Sequence, residues 1–222
     1  MDWEALRISA WLAVATSLVL LPPAVWLARW LVYSHAPWRG VVEASLALPL
    51  ILPPTVLGFY LLGAMGAGSP LGALYEQLVG QPLAFSFMGL LLASLVFNIP
   101  FAVMPMQRAF AAISPEVLDA ARTCGLPRLR TLWRIELPLA WPGILTGFIM
   151  TAAHTLGEFG VVLMVGGNIP GETRTIAVAI YDRVQAFDTQ GAGIMSASLL
   201  GLSLATLLLT VWLGRASARS AA

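Results

Sequence analysis

Apolar residues in this chain come in runs about twenty long, and most of the polar residues are gathered between the runs instead of being interleaved with them. From Ile8 to Ala28 there are 21 residues without a charge, and at 1.5 Å per residue such a helix covers about 30 Å, the thickness of a bilayer's hydrocarbon core. Comparable runs occupy about 44–65, 84–106, 138–157 and 192–213. The pattern predicts five membrane-crossing helices in a single transmembrane domain spanning 1–222. Pro22-Pro23 in the first run, and Pro49, Pro53 and Pro54 in the second, predict bends, because each proline removes a backbone donor. The GAGSP sequence at 66–70 and the stretch to Pro82 read as a loop. The fourth run stays apolar as far as Gly167, too long for one crossing, so Gly157-Glu158 is the expected break and Phe159 to Val165 is expected to fold back into the protein. Beyond it, Ile176, Ile180, Val184 and Phe187 recur at helical spacing, which predicts a helix lying on a surface.

The longest polar stretch, Ser114 to Pro138, has an internal order of its own. Ser114 can cap a helix that opens with Pro115 and carries Glu116 and Asp119 early, where the helix dipole favours negative charge. Gly125 can end that helix in the left-handed conformation. Pro127 can open a second one, with Leu129, Leu132 and Trp133 at helical spacing and Arg128, Arg130 and Arg134 largely on other faces, until Pro138 begins the next apolar run. The expectation is a helix-turn-helix on the membrane surface.

Composition narrows the class. With 59% hydrophobic and 10% charged residues, the chain has too little polar surface for a soluble domain of 222 residues, and it reads as an all-α integral membrane protein. Five crossings place the termini on opposite sides. With the N-terminus outside and the C-terminus inside, nine arginines (29, 39, 108, 122, 128, 130, 134, 215 and 219) lie inside against three (7, 174 and 183) outside, the asymmetry the positive-inside rule requires. The 114–138 loop is then cytoplasmic. Asp2 and Glu4 precede the first run where a signal peptide would be basic, so that run reads as a retained helix. No lysine occurs, which excludes a phosphate-binding loop of the GxxxxGK[ST] type, and a net charge of +1 gives no reason to expect nucleic acid. The one cysteine, Cys124, and two separated histidines, His35 and His154, offer neither a disulfide nor a metal or haem ligand set, so no cofactor is expected.

The loop carries a more specific pattern. Asp119-Ala120-Ala121, three residues, Gly125, nine residues, Ile135, one residue and Leu137-Pro138 resembles the cytoplasmic EAA loop of ABC importer permeases, with Asp119 in place of the usual glutamate. The stretch HTLGEFGVVLMVGGNIPGETRTI at 154–176 is similar to the matching region of molybdate and sulfate importer permeases. LPLILPPTVLGFYLL at 48–62 is similar to the molybdate branch. The resemblance implies a permease subunit of a prokaryotic inner membrane that pairs with a second copy of itself and with two ATP-binding cassette ATPase subunits. It further implies that the subunit receives molybdate or tungstate from an extracytoplasmic binding protein. Glu116, Asp119, Ala120, Ala121, Gly125 and Ile135 would be the residues that dock the ATPase. A sulfate permease is the alternative within the family.

Inside the runs there is no Arg, Lys or Asp, and the one acid, Glu158, stands near an edge. A dianion would meet no buried cation, so its transit site is expected to be weak. Ser94 with Asn98 and Thr151 with Thr155, each pair four residues apart, are the polar groups that could line a path, set against the common alternative that such groups bond within their own helix or to a neighbour. Glu158 could serve a gate or accept from amides freed at the chain break. Arg174, on the outer side, could meet an arriving anion or the binding protein, or simply pair with Glu172. A different class, an intramembrane serine protease, would need Ser69 and His154 to act together, and no third group to orient the histidine is evident.

Overall fold

The computed structural model describes residues 1–220 as an assembly of helices. Three long ones form its centre: α1 (Trp3–Tyr33), α5 (Phe87–Ala111) and α8 (Leu137–Gly157). Leu20, Ala24, Ala28 and Leu31 of α1, Ala102, Val103, Met106 and Phe110 of α5, and Ala140 and Ile144 of α8 make one buried apolar cluster. Asp2 starts α1 by accepting from the Ala5 amide at 3.0 Å, and Ser86 starts α5 by accepting from Gly89 at 3.1 Å. Pro22 and Pro23, where a bend is expected, both lie inside α1, which continues through them as one helix.

Helix α8 approaches α5 closely because two of its residues have no side chain. A Cβ at Gly147 would stand 2.7 Å from the Ala102 carbonyl oxygen, and one at Gly143 would stand 2.7 Å from that of Pro105. This glycine pair at four-residue spacing is the small-residue pattern by which membrane helices bring their backbones together.

The second apolar run is two helices, α2 (Arg39–Ile51) and α3 (Pro54–Met65), meeting at 110°. Leu52 is extended, as a residue before proline prefers, and Pro54 sits in the first turn of α3, where its missing N–H costs nothing. Counting that bent pair once gives up to five candidate crossings, with α1, α5, the continuous helical stretch Arg128–Gly157, and Thr189–Leu209 as the other four. The last is part of α11 (Thr189–Ser220). The stretch read as a loop after GAGSP is instead a helix, α4 (Pro70–Val79), with Ser69 capping the Gly72 amide at 2.9 Å, Pro70 in the first turn and Gly80 ending it in the left-handed region. Gly157-Glu158 breaks the chain as expected, and the short helix α9 (Gly160–Gly166) folds back, with Val161 and Val165 packed against Met65, Ala93 and Phe97.

Helix α10 (Ile176–Gln185) corrects the predicted surface face. Ile176 is buried and Ile180 packs beside it, but Val184 and Phe187 are exposed. The buried set is Ile176, Val178 and Ala179, because the helix is inserted against Ala5 and Met195 on one side and Leu12 on another instead of lying on one flat surface. Around the bundle, Trp11, Trp26, Leu48, Ile51, Phe59, Tyr60 and Trp212 remain exposed, apolar surface of the kind lipid covers.

Candidate functional site

The 114–138 segment is a short helix and a turn that lead directly into α8. Helix α6 (Pro115–Thr123) ends at Gly125, whose φ of +71° is the left-handed conformation a glycine adopts without a Cβ penalty. The Leu126 amide donates to the Ala121 carbonyl at 3.1 Å and the Gly125 amide to that of Arg122 at 2.9 Å, the two reversed bonds of a Schellman ending. Ser114 does not cap the backbone; its hydroxyl donates to the Glu116 carboxylate. That bond, followed by the carboxylate's own backbone amide, holds Glu116 below the usual glutamate range.

The second short helix of the sequence reading is not separate. Helix α7 (Arg128–Thr131) runs through a π-helical turn, Leu132–Glu136, straight into α8. Pro138 has no N–H to donate into that turn, and the ladder widens there, with the Leu137 amide reaching back to the Leu132 carbonyl. Leu129 and Trp133, read as part of an apolar face, are both exposed beside Arg130 and Arg134.

Of the six docking candidates, Glu116, Asp119 and Ala120 lie exposed on one side of α6, while Ala121 is buried and turns with Leu118 toward the bundle. Asp119 accepts from Arg122 Nη1 at 2.8 Å, an exposed pair. Ile135 is half-buried in the π turn and Gly125 is exposed at the bend. Two clefts undercut the segment. One of about 380 Å³ is lined by Tyr33, Phe110, Leu118 and Asp119, and one of about 570 Å³ by Arg29, Tyr33, Arg122, Arg128 and Glu136.

The sequence reading left Glu136 without a role and placed Arg29 just past the end of the first apolar run. Arg29 lies within α1, and its Nε and Nη2 donate to the two carboxylate oxygens of Glu136 at 2.5 and 2.9 Å, across 107 residues of chain. The Glu136 side chain is 4% exposed and that of Arg29 32%. The available signal was a carboxylate wedged between Ile135 and Leu137-Pro138, where burial demands a cation.

The path candidates stand on two helices in contact with each other, Ser94 and Asn98 on α5 and Thr151 and Thr155 on α8. Asn98 Nδ2 donates to the Ser94 carbonyl at 2.9 Å and lies 3.2 Å from its hydroxyl, and Thr155 donates to the Thr151 carbonyl at 2.8 Å. All four side chains are buried within the protomer, and only the Thr151 hydroxyl has no partner. His154, which the path reading omitted, completes the layer, stacked on Phe101 and beside Phe97. Glu158 is buried and accepts from the Val161 amide at 3.0 Å, opening α9. Arg174 pairs not with Glu172 but with Asn168 Oδ1 at 2.6 Å, and its Nε lies 3.8 Å from Asp182. Ser69 and His154 are engaged separately, the serine with Ala64 and Gly72 and the histidine with Asn98.

A loop of this form, set into a bundle of up to five crossings and broken by a folded-back helix, is the architecture of a membrane transport subunit. The chain belongs to the family of binding-protein-dependent transport system inner membrane components, whose model matches residues 9–220. It is 46% identical over 187 residues to a molybdenum transport system permease protein of Azotobacter vinelandii, covering 84% of this chain and 83% of that one. To the molybdenum transport system permease protein of Escherichia coli K12 it is 36% identical over 217 residues, covering 97% and 95%. A probable sulfate transport system permease protein of Chlorokybus atmophyticus is 32% identical over 174 residues, covering 78% of this chain and 60% of that one. A bacterial ABC transporter involved in the import of alginate has a chain of similar fold, with a TM-score of 0.69 at 17% identity, covering 97% of this chain and 78% of that one.

Proposed function

We propose that this chain is the membrane-spanning permease subunit of an ATP-driven molybdate importer, with tungstate as a second cargo. The observation that carries the reading is the identity of 36–46% over most of the chain to permeases named for molybdenum transport, against 32% over a smaller share of a sulfate permease. The chain lies in the inner membrane as part of a binding-protein-dependent system. We further propose that two copies pair, that residues 1–222 form one transmembrane unit with its N-terminus outside, and that each copy docks one ATPase through Glu116, Asp119, Ala120, Ala121, Gly125 and Ile135. The exposed carboxylates of α6 and the defined Schellman bend support that docking face.

Ser94, Asn98 and Thr155 have their hydrogen bonds met inside the protomer, so the path role narrows to Thr151, whose hydroxyl is unspent, and to Glu158 at the fold-back. Arg174, whose Nε donates to Asn168 and lies 3.8 Å from Asp182, remains the proposed outer contact. The test is reconstitution of the chain with its ATPase and binding protein in vesicles. ATP hydrolysis stimulated by molybdate- or tungstate-loaded binding protein, and not by sulfate, supports the assignment; stimulation by sulfate alone transfers the chain to the sulfate branch.

A further inference from the structure

We propose that Arg29 and Glu136 are the joint through which movement of the 114–138 segment enters the helix bundle. The proposal rests on the ATPase-docking role put forward above and goes beyond it, because neither residue belongs to the loop pattern that suggested that role. Both would be positioning residues. They need touch neither the oxyanion nor the ATPase.

Three observations place the joint here. Among the described residues this is the one ion pair that links two candidate membrane-crossing helices; the others lie within a helix or between neighbouring segments near α10. Its position is the root of the segment, in the π-helical turn where the exposed loop becomes α8, and its far end is one turn before α1 stops at Tyr33. The segment is otherwise loosely seated, undercut by the clefts of about 380 and 570 Å³ and held from below by Leu118 and Ala121. Apolar contacts of that kind slide past one another at small cost. A bidentate pair with a buried carboxylate does not, because parting it strands Glu136 in a medium that solvates it poorly. A push on α6 that shifts the π turn therefore carries Arg29 and the end of α1 with it, while the sliding contacts adjust. Arginine suits this role where lysine would not, since its planar fork fixes direction as well as distance.

The experiment uses the full chain assembled with its ATPase and binding protein in vesicles, with molybdate uptake and ATP hydrolysis measured on the same preparation. In Glu136→Gln, hydrolysis is expected to persist while molybdate taken up per ATP falls roughly tenfold, the scale on which residues in a coupling network act. Arg29→Lys, which keeps the charge and loses the fork, is expected to fall part of the way. The reversed pair, Arg29→Glu with Glu136→Arg, is expected to recover much of the ratio, a rescue that local packing alone does not provide. An unchanged ratio in Glu136→Gln, or hydrolysis and uptake falling together in an intact assembly, overturns the proposal. If Glu136→Gln does not assemble, the reversed pair decides, and failure of that variant to restore the ratio overturns it as well. Wild-type vesicles in which loaded binding protein stimulates neither activity count against the transporter assignment instead.

Discussion

His154 Nδ1 lies 3.0 Å from Asn98 Oδ1 across the seam between α8 and α5. Because the Asn98 amide nitrogen is committed to Ser94, its oxygen is the acceptor, and the histidine must carry its proton on Nδ1. Removing the acceptor leaves that N–H without a partner between two phenylalanine rings. Asn98→Ala is therefore expected to destabilise the protomer by about 1–3 kcal/mol, read as a lower unfolding temperature in detergent. Thr151→Val, one turn away, is expected to leave that temperature unchanged or raise it, since the hydroxyl it removes has no partner. A loss of uptake in Thr151→Val without a loss of stability would mark the hydroxyl as part of the path.

The α5–α8 seam depends on the absence of a side chain at Gly147. A Cβ there meets the Ala102 carbonyl oxygen at 2.7 Å and Met106 Cε at 3.0 Å, and the carbonyl belongs to a helix that cannot yield locally. Gly147→Val is expected to force the helices apart at a cost of about 1–3 kcal/mol, with a lower yield of folded protein from membranes. Gly193→Val, at an open position on α11, is the control and is expected to change little.

The chain announced its crossings better than its joints. Runs of apolar residues mark helices wherever lipid is the solvent, since every backbone group must then be satisfied within the segment, and α1, α5 and α8 follow from that alone. Helix α4 was missed although Ser69, Pro70 and Gly80 form a start and stop signal, because the glycines of GAGSP argued more strongly for a turn. The surface face assigned to α10 failed because helical spacing identifies an apolar stripe without saying whether one neighbour covers it or several. Arg29 and Glu136 were illegible as a pair: nothing in local sequence relates residues 107 positions apart, and each taken singly reads as a charge at the edge of an apolar run. The separation of Gly143 and Gly147 was visible, yet its meaning depended on knowing which helix lay opposite.

Gly125 has open space around its Cβ position, so what its substitution costs is conformational. With φ at +71°, a β-branched residue is disfavoured and asparagine is tolerated. Gly125→Val is expected to loosen the Schellman ending and weaken copurification with the ATPase, and Gly125→Asn to retain most of it. Equal copurification for both variants would show that the bend is not what the ATPase reads.

At the foot of α11 the Asp188 carboxylate accepts from the Gly191 amide at 2.8 Å and from Arg183 at 2.5 Å, and these bonds, the amide first, hold it below the usual aspartate range. A carboxylate depressed by folding stabilises the folded form above its unfolded pKa, and the contribution disappears as pH falls through the folded value. Protection of the Gly191 amide against hydrogen exchange is therefore expected to be full near neutrality and to decline on acidification below the ordinary aspartate range. Asp188→Asn should flatten that decline. A Gly191 profile unaffected by the substitution would mean that other contacts hold the start of α11.

Cys124 ends α6, is exposed, and is the chain's one cysteine, so it reports the sidedness of the loop without engineering. Nine of twelve arginines fall on the same side as this residue when the N-terminus is outside, and translocating so many guanidinium groups is what the positive-inside rule disfavours. A membrane-impermeant maleimide is therefore expected to label Cys124 in inside-out vesicles and in permeabilised cells, and to leave it unlabelled in intact ones. Addition of the ATPase is expected to slow the labelling, because Cys124 lies between Ala121 and Gly125 of the proposed docking face. Labelling from the outside of intact cells would invert the topology and, with it, remove any route by which a cytoplasmic ATPase could reach α6.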